Sequence, residues 1–345
     1  MRGRFLRIGK YLLFFLIGVG LLYLAFRGAE IQKMWTILKD AHYSWIILTM
    51  ALGFLTFISR GYRWLILLET MGYKAKASNS VNAVTIGYLV NLALPRLGEF
   101  TRCTALNRVE RIPIGKLFGT IIVERAIDMI ILFLLLILTL LTNLDTFGPF
   151  FIDVFGTKVQ RTSNLIGYGF LFLVLGAVSL YLIYSYRKKL MRNKFFFKAF
   201  SLYRSVGHGV RTIYSMERKG LFFLHTVFIW TMYFFMTYLC FFSFDATANY
   251  GPDKGLFVMT AGGMGMAAPT QGGIGAYHWM VKESLKVLNV EGGNDMGLAF
   301  ATVVHSSQVL MILITGGIAL FLWYRAVRRK GKAEGLDPLS QDLPV

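Results

Sequence analysis

The sequence predicts an all-α polytopic membrane protein with six spanning helices and two oppositely oriented re-entrant segments. Three observations lead to this prediction. The chain of 345 residues is 55% hydrophobic and 16% charged, with a mean hydropathy of +0.55, a balance that is unusual for soluble domains. Its apolar residues fall in runs that approach the roughly 20 residues of a spanning helix. Its basic residues are distributed unevenly between these runs, which sets the orientation in the membrane.

Six strongly apolar runs predict the spanning helices. They are 11–26, 45–59, 129–142, 165–184, 221–244 and 298–324. The first of them follows MRGRFLRIGK and resembles a secretory signal, but no small-residue cleavage site precedes Glu30, so we predict that it is retained. Two further runs, 80–95 and 255–280, are weaker and interrupted.

The basic residues predict that both termini are cytoplasmic. Segments 1–10, 60–79, 96–116, 187–220 and 325–345 contain 28 of the 37 Lys and Arg residues. Segments 27–44, 143–164, 245–254 and 281–296 contain only eight. By the positive-inside rule, the first group is cytoplasmic and the second external. Each weak run then begins and ends on one side of the membrane, 80–95 inside and 255–280 outside, which predicts re-entrant segments.

The two halves of the chain have the same order of segments in opposite orientation. We therefore predict a single transmembrane domain over 1–345, with inverted repeats at approximately 10–142 and 165–325 and a cytoplasmic tail at 326–345. Inverted repeats with broken segments at matching positions are typical of transporters, whose substrates bind near those segments. The alternative is that both weak runs cross the membrane, which gives eight crossings and also leaves both termini inside.

The net charge of +19 does not indicate a nucleic-acid partner. Attraction to anionic cytoplasmic lipid explains a basic excess in a membrane protein, and the basic loop 187–220 is expected to lie on headgroups. Cys103 and Cys240 are too few for a disulfide framework or a zinc site. No Walker A sequence, zincin helix or GxSxG elbow occurs. We expect no metal and no cofactor.

The first broken segment is followed by a cluster of charged residues in NLALPRLGEFTRC. Pro95 ends a helix, and Arg96, Glu99 and Arg102 follow at three-residue spacing, so that they share one face of a helix. Such a face can pair internally while one guanidinium remains free to bind a phosphate in a bidentate manner. The alternative is a cytoplasmic loop with solvated charges.

The next span contains Glu124, Arg125 and Asp128 within about one turn. Ionisable groups at such depth are costly unless they are paired or reach a watery cavity, which makes them functional candidates. The alternative is a structural ion pair that holds helices together. Arg60 and Arg63, at the end of the second predicted span, are expected to extend to the cytoplasmic interface.

The segment AAPTQGGIGAYHW contains Pro269, Gly272, Gly273 and Gly275. Lipid offers no hydrogen-bond partner to a broken helix, so we expect this segment to face protein or a water-lined cavity. The glycines permit a tight turn and close approach, although a packing seam is the alternative. His305 in the last span could couple transport to protons, whereas helix packing beside the adjacent serines is the simpler interpretation.

Three stretches carry a family resemblance: NLALPRLGEFTR, GTIIVERAIDMI and PTQGGIGAYHW. In this order they resemble the lysylphosphatidylglycerol synthase transmembrane region, the flippase-like half of the bacterial multiple peptide resistance factor and its stand-alone relatives, over roughly residues 10–325. The family pattern falls on Pro95, Gly98, Glu99, Arg102, Glu124, Arg125, Asp128, Pro269, Gly272, Gly273 and Gly275. Only a short tail follows Tyr324, so we do not expect lysyl synthase activity, and aminoacyl lipid is not an assured substrate.

The resemblance implies a bacterial inner-membrane flippase that moves a phospholipid or lipid-linked headgroup between leaflets, rather than an enzyme. Two alternatives stay open: an integral-membrane enzyme acting on lipid phosphates, and a non-transporting regulator of envelope lipid synthesis. A homo-oligomer and a partner enzyme that makes the lipid also stay open. The candidate substrate-binding residues are the charged residues at 96, 99, 102, 124, 125 and 128, the proline and glycines of the second broken segment, and His305.

Overall fold

The computed structural model describes residues 16, 18–27, 29–94, 97–143, 146, 216–268 and 270–333. Within these ranges the chain is helical and contains no strand, which confirms the all-α class. Several predicted features lie outside the described residues, namely Pro95, Arg96, Pro269, the span 165–184 and nearly all of the basic loop 187–220.

Eleven α-helices are defined in the described ranges. They are α1 (18–26), α2 (Ile31–Lys39), α3 (Tyr43–Thr70), α4 (Ala77–Ala93), α5 (Gly98–Glu110), α6 (Ile114–Thr142), α7 (Lys219–Tyr238), α8 (Asp245–Ala248), α9 (Pro252–Ala267), α10 (Ala276–Val287) and α11 (Gly293–Ala333). A 3₁₀ turn at Leu239–Ser243 follows α7, and a second at Gln271–Gly273 lies between α9 and α10.

Three helical stretches in the described part of the chain are long and apolar enough to cross a membrane. They are Tyr43–Thr70, Lys219–Ser243 and Gly293–Gly331, and they overlap three of the six predicted spans. The chain is therefore a multi-pass membrane protein, whereas the count of six spans and the inverted repeat stay predictions.

Two helices extend well beyond the apolar runs that predicted them. Helix α3 continues to Thr70, so the segment 60–79 is not a loop over its first half. Helix α6 begins at Ile114, long before the apolar run 129–142. The runs ended early because charged residues interrupt them. Four of those charges, Arg60, Arg63, Glu124 and Asp128, are buried and paired, and the helices continue through them.

The first broken segment is part of an antiparallel helical hairpin formed by α4 and α5. The backbone N–H of Lys76 and the side-chain amide of Asn79, at the start of α4, both donate to Oε1 of Glu110 at the end of α5, at 2.9 and 2.6 Å. These bonds join the start of α4 to the end of α5, and we call this side of the hairpin, opposite the turn, its open end. Its tip is the connection around 94–97. We call this unit the first hairpin.

Glycines allow the two helices of the first hairpin to touch. A Cβ atom built on Gly98 would lie 2.0 Å from the carbonyl oxygen of Gly87, which no real side chain tolerates. The backbone N–H of Gly98 donates to Oδ1 of Asn91 at 2.7 Å, which satisfies one free donor at the start of α5. The close contact at Gly98 therefore fixes where the chain reverses.

The second broken segment is also a hairpin, formed by α9 and α10. The Tyr250 hydroxyl donates to the Leu288 carbonyl at 3.2 Å, which joins the start and the end of this unit. A Cβ atom on Gly265 would lie 2.8 Å from the carbonyl oxygen of Ala276. We call this unit the second hairpin. It continues to Val287 and is longer than the predicted run 255–280.

The tip of the second hairpin contains three glycines in the left-handed region. Gly272, Gly273 and Gly275 have φ values of 55°, 82° and 81°. A side chain at Gly275 would also meet the backbone of α1, because its Cβ would lie 2.4 Å from the carbonyl oxygen of Gly18. The tip is thus a tight turn that packs closely against α1 at Gly275.

Helix α11 passes the second hairpin from its open end to its tip. Near the start of α11, Gly297 packs against Lys282 of α10. A Cβ atom built on Gly297 would lie 3.1–3.3 Å from atoms of Lys282. Two turns later, Nε2 of His305 lies 2.8 Å from the carbonyl oxygen of Gly272. The tip of the second hairpin therefore lies beside the first half of α11.

The same helix then passes the first hairpin from its tip to its open end. Gly316 packs against Leu89 near the tip. Further on, the Lys330 ammonium donates to the Val109 carbonyl at 2.6 Å, beside the open end. The two open ends lie at opposite ends of α11, and Gly272 at one tip approaches the Leu92 side chain at the other.

We predict that Gly98→Ala destabilises the protein, because the added methyl group meets the Gly87 carbonyl. Overpacking of this kind costs about 1–3 kcal/mol. The control is Gly119→Ala in α6, where a built Cβ meets nothing within 4 Å. Thermal unfolding in detergent, followed by tryptophan fluorescence, should show a lower midpoint for Gly98→Ala and an equal or higher midpoint for Gly119→Ala. Equal midpoints for the two variants would contradict the close contact.

Candidate functional site

Helices α5 and α6 are joined by a buried ion pair. Nη2 of Arg102 donates to Oε2 of Glu124, and the two side chains are only 5% and 1% exposed. The Arg102 guanidinium also lies over the ring of Trp64, 4.8 Å from its centroid. The Trp64 indole N–H donates to Oγ1 of Thr120 at 2.7 Å, which fixes the ring beneath the guanidinium.

Arg63 on α3 links both carboxylates of α6. Its Nη1 and Nη2 donate to Oδ1 and Oδ2 of Asp128 at 2.8 and 3.2 Å, a bidentate pair. Its Nε lies 3.5 Å from Oε1 of Glu124. Nη1 also donates to Oγ1 of Thr226 on α7 at 3.3 Å. Arg63 has no exposed surface.

Arg60 lies one turn before Arg63 and completes the set. Its Nη1 donates to Oδ2 of Asp128 at 3.1 Å, and its Nε donates to the Tyr233 hydroxyl on α7 at 3.0 Å. The guanidinium faces the rings of Tyr233 and Tyr88, at 5.6 and 6.0 Å from the centroids. Arg60 is therefore held by a carboxylate, a hydroxyl and two aromatic rings.

We call these five residues the buried charge network. Its members are Arg60, Arg63, Arg102, Glu124 and Asp128. Three guanidinium groups and two carboxylates leave the network with one excess positive charge. Charges in a medium of low dielectric interact strongly, and each loses its hydration on burial. The network thus holds α3, α5 and α6 together and also presents a net positive charge inside the helices.

A second ion pair lies beside the network but is partly exposed. Nη2 of Arg125 is 3.2 Å from Oε1 of Glu99, and the side chains are 44% and 22% exposed. Oε2 of Glu99 is buried and has no hydrogen-bond partner among the described residues. The neighbouring apolar residues Phe100 and Met129 are largely exposed. The peripheral pair, Arg125 and Glu99, therefore lies at the edge of an apolar surface.

The interpretation of Arg60 and Arg63 as interfacial residues is wrong. Both are buried, at 4% and 0% exposure, and both bind Asp128. A signal was available in the sequence, because two arginines lie one turn apart on one helix and two carboxylates one turn apart on another. That complementary spacing predicts a paired arrangement better than hydropathy does.

The expected internal pairing around the first tip also differs from the structure. Glu99 pairs with Arg125, and Arg102 pairs with Glu124, so both find partners on α6 rather than on their own helix. Arg96 lies outside the described residues. The reason is the rotation of α5, because Arg102 lies on its buried face whereas Glu99 is partly exposed.

The expected cluster of Glu124, Arg125 and Asp128 is divided between two places. Glu124 and Asp128, four residues apart, share the buried face of α6. Arg125 is exposed and belongs to the peripheral pair. Sequence spacing placed the three residues on one helix, but it could not show which face each side chain occupies.

The remaining candidates meet at the tip of the second hairpin. Gly272, Gly273 and Gly275 form the turn, and His305 contacts it through the Gly272 carbonyl. Pro269 lies outside the described residues. Among the described residues, no group of three His, Cys, Asp or Glu side chains is placed to bind a metal ion.

We predict that Glu124→Gln lowers the stability much more than Glu99→Gln. Glu124→Gln leaves two buried guanidinium groups with one carboxylate fewer, and loss of a partner in a buried ion pair costs about 3–5 kcal/mol. The same change at Glu99 removes a partly exposed pair, worth about 1 kcal/mol or less. Unfolding midpoints in detergent measure both. Similar losses would show that the network is no more stabilising than a surface pair.

The comparisons with known proteins agree with the membrane architecture. The chain matches the family described as "Lysylphosphatidylglycerol synthase TM region" over residues 11–316. It is similar to the UPF0104 membrane protein MJ1595 of Methanocaldococcus jannaschii, with 30% identity over 101 residues that cover 28% of this chain and 30% of that protein. The match thus spans less than a third of the relative. No solved structure matches the chain significantly. Because the family match covers most of its length, the chain belongs to the lysylphosphatidylglycerol synthase transmembrane region family.

Proposed function

We propose that the protein is a lipid flippase or lipid transporter that moves a phospholipid or lipid-linked headgroup between the leaflets of the bacterial inner membrane. The observation that carries the proposal is the buried charge network, which holds an excess positive charge within the helices. A lipid headgroup with a phosphate has the complementary charge. Intramembrane charges of this kind are typical of substrate pathways.

We also propose that both hairpins are re-entrant, the first from the cytoplasm and the second from outside. Their opposite direction along α11 supports this proposal. At 1.5 Å per residue, helices of 12–17 residues reach about 18–25 Å, less than the hydrocarbon thickness of about 30 Å. Arg325, Arg328 and Lys330 lie at the end of α11 that accompanies the first hairpin. That end is cytoplasmic by the positive-inside rule.

The network contains donors that a phosphate can use. Nε of Arg102 is buried and makes no hydrogen bond among the described residues, and Nε of Arg63 makes none either, although it lies 3.5 Å from Oε1 of Glu124. Arginine binds phosphate oxygens through pairs of N–H groups. In our mechanism, the headgroup phosphate takes the place of a carboxylate at one guanidinium. Glu124 and Asp128 balance the arginines again when the site is empty.

The peripheral pair supplies the route from the bilayer to the network. Arg125 is adjacent to Glu124 in sequence but faces the exposed side of α6, beside Met129 and Phe133, which are 71% and 61% exposed. A headgroup that first binds Arg125 therefore leaves its acyl chains against an apolar surface. The chains stay in the bilayer, and only the polar group moves inward between the helices.

The proposal predicts that the purified protein accelerates exchange of labelled phospholipid between leaflets of reconstituted liposomes. Anionic and zwitterionic headgroups are compared at equal protein density. Arg102→Ala and Asp128→Asn should abolish the acceleration, because each disrupts the network, while the variants still insert into the membrane. The control is Arg218→Ala, which removes an exposed arginine paired with Glu69 and should retain exchange.

Three other results would count against the proposal. If the wild-type protein does not change the rate of lipid exchange for any headgroup, the flippase proposal has no basis. Exchange retained in both network variants contradicts the site. Chemical conversion of the labelled lipid, detected by product analysis of the same vesicles, supports the alternative of an enzyme acting on lipid phosphates.

A further inference from the structure

The tip of the second hairpin holds a pair of buried histidines that the buried charge network does not include. His278 on α10 and His305 on α11 are 6% and 4% exposed. Their ring centroids lie 4.9 Å apart at an interplanar angle of 64°. The ring of Tyr277 lies 5.4 Å from that of His305. The pair is thus enclosed by protein and located where the chain reverses direction.

The contacts of the pair determine where a proton can bind. The Gly272 carbonyl only accepts hydrogen bonds, so Nε2 of His305 carries a hydrogen and donates to it at 2.8 Å. Nδ1 of a neutral His305 is then the nitrogen with a free lone pair. Nδ1 of His278 is buried and has no hydrogen-bond partner among the described residues. A buried polar atom without a partner requires an explanation.

Few charged groups surround the pair. On α10, Lys282 follows His278 by one turn, but it is paired with Glu283 at 3.4 Å and donates to the Leu24 carbonyl. Glu283 also binds Lys286 at 3.3 Å. The tip and Tyr277 also pack against uncharged residues of α1, α4 and α9, which are Gly18, Leu22, Leu92, Gly262 and Met266.

Two charged imidazoles this close repel each other, and no carboxylate in the described part of the chain pairs with either ring. The pair therefore holds at most one proton at a time. We propose that His278 and His305 form a site for a single proton, and that this proton controls the tip of the second hairpin during lipid transport. The proton site stands on geometry alone, whereas its coupling to transport rests on the proposed function.

The direction of the control follows from hydrogen bonding. A charged His305 donates a stronger hydrogen bond to Gly272 than a neutral one does. Proton binding thus holds the tip against α11, and proton release loosens it. Gly272 also approaches Leu92 of the first hairpin, so a loosened tip alters the contact between the two hairpins. Coupled titration of this kind gives transitions that belong to the pair rather than to either residue.

Nuclear magnetic resonance of the protein labelled with ¹⁵N-histidine, in lipid nanodiscs, tests the proton site directly. The chain has five histidines, which single variants assign. We expect the ring signals of His278 and His305 to change together in one transition as the pH is lowered across the range in which the protein stays folded. In His278→Gln and in His305→Gln, the remaining transition should shift by roughly one pH unit. His42→Gln, which alters an exposed histidine near Asp245, should leave the shared transition unchanged.

Two results would overturn the proton site. Either both rings stay neutral over the whole pH range, or each ring titrates separately and its transition is unchanged in the variant that lacks the other histidine. The wild-type titration decides this even if a variant does not fold.

Lipid exchange under an imposed pH gradient tests the coupling. Wild-type protein and His42→Gln should respond to the gradient, and His278→Gln should not. Exchange that ignores the gradient in the wild type overturns the coupling. Absence of any lipid exchange contradicts the proposed function, whereas the magnetic resonance titration still tests the proton site independently.

Discussion

The pairing of Arg60 and Arg63 with Asp128, and of Arg63 and Arg102 with Glu124, is the interaction on which the arrangement of helices depends. Each guanidinium loses its hydration inside the protein. Only ion pairs and hydrogen bonds with partners on another helix compensate this loss. The positions of α3, α5 and α6 are therefore not independent. Hydrophobic contacts alone would tolerate sliding of one helix past another, whereas a bidentate ion pair fixes both height and rotation.

Each of the two broken helices is held in place by contacts near its break. The first hairpin reverses near Gly98, and Arg102 one turn later ties its returning helix to α6. The second hairpin reverses through glycines with positive φ and is held by His305. Both tips then meet beside the middle of α11. Beside the two breaks, the backbone N–H of Gly98 and the carbonyl of Gly272 form hydrogen bonds with protein side chains, which are partners that lipid does not offer.

Much of the architecture follows from the sequence, but the partners within the site do not. Hydropathy and basic residues predicted the helical class and located both broken segments. The predicted second span ended before Arg60, because a hydropathy scale scores a charged residue as unfavourable whether or not it is paired. The division of Glu124 and Arg125 between a buried and an exposed face depends on helix rotation, and adjacent residues give no indication of it. The contact of His305 with Gly272 joins positions 33 residues apart and needed the folded chain.

The central claim is that the excess positive charge of the network binds a lipid phosphate. Native mass spectrometry of the protein extracted in mild detergent tests it most directly, by measuring the phospholipid that remains bound. We expect the wild type and Arg218→Gln to retain phospholipid and Arg102→Gln to lose it, because Arg102→Gln removes one guanidinium but leaves a polar side chain. Equal retention in all three proteins, or no bound phospholipid in the wild type, would contradict it.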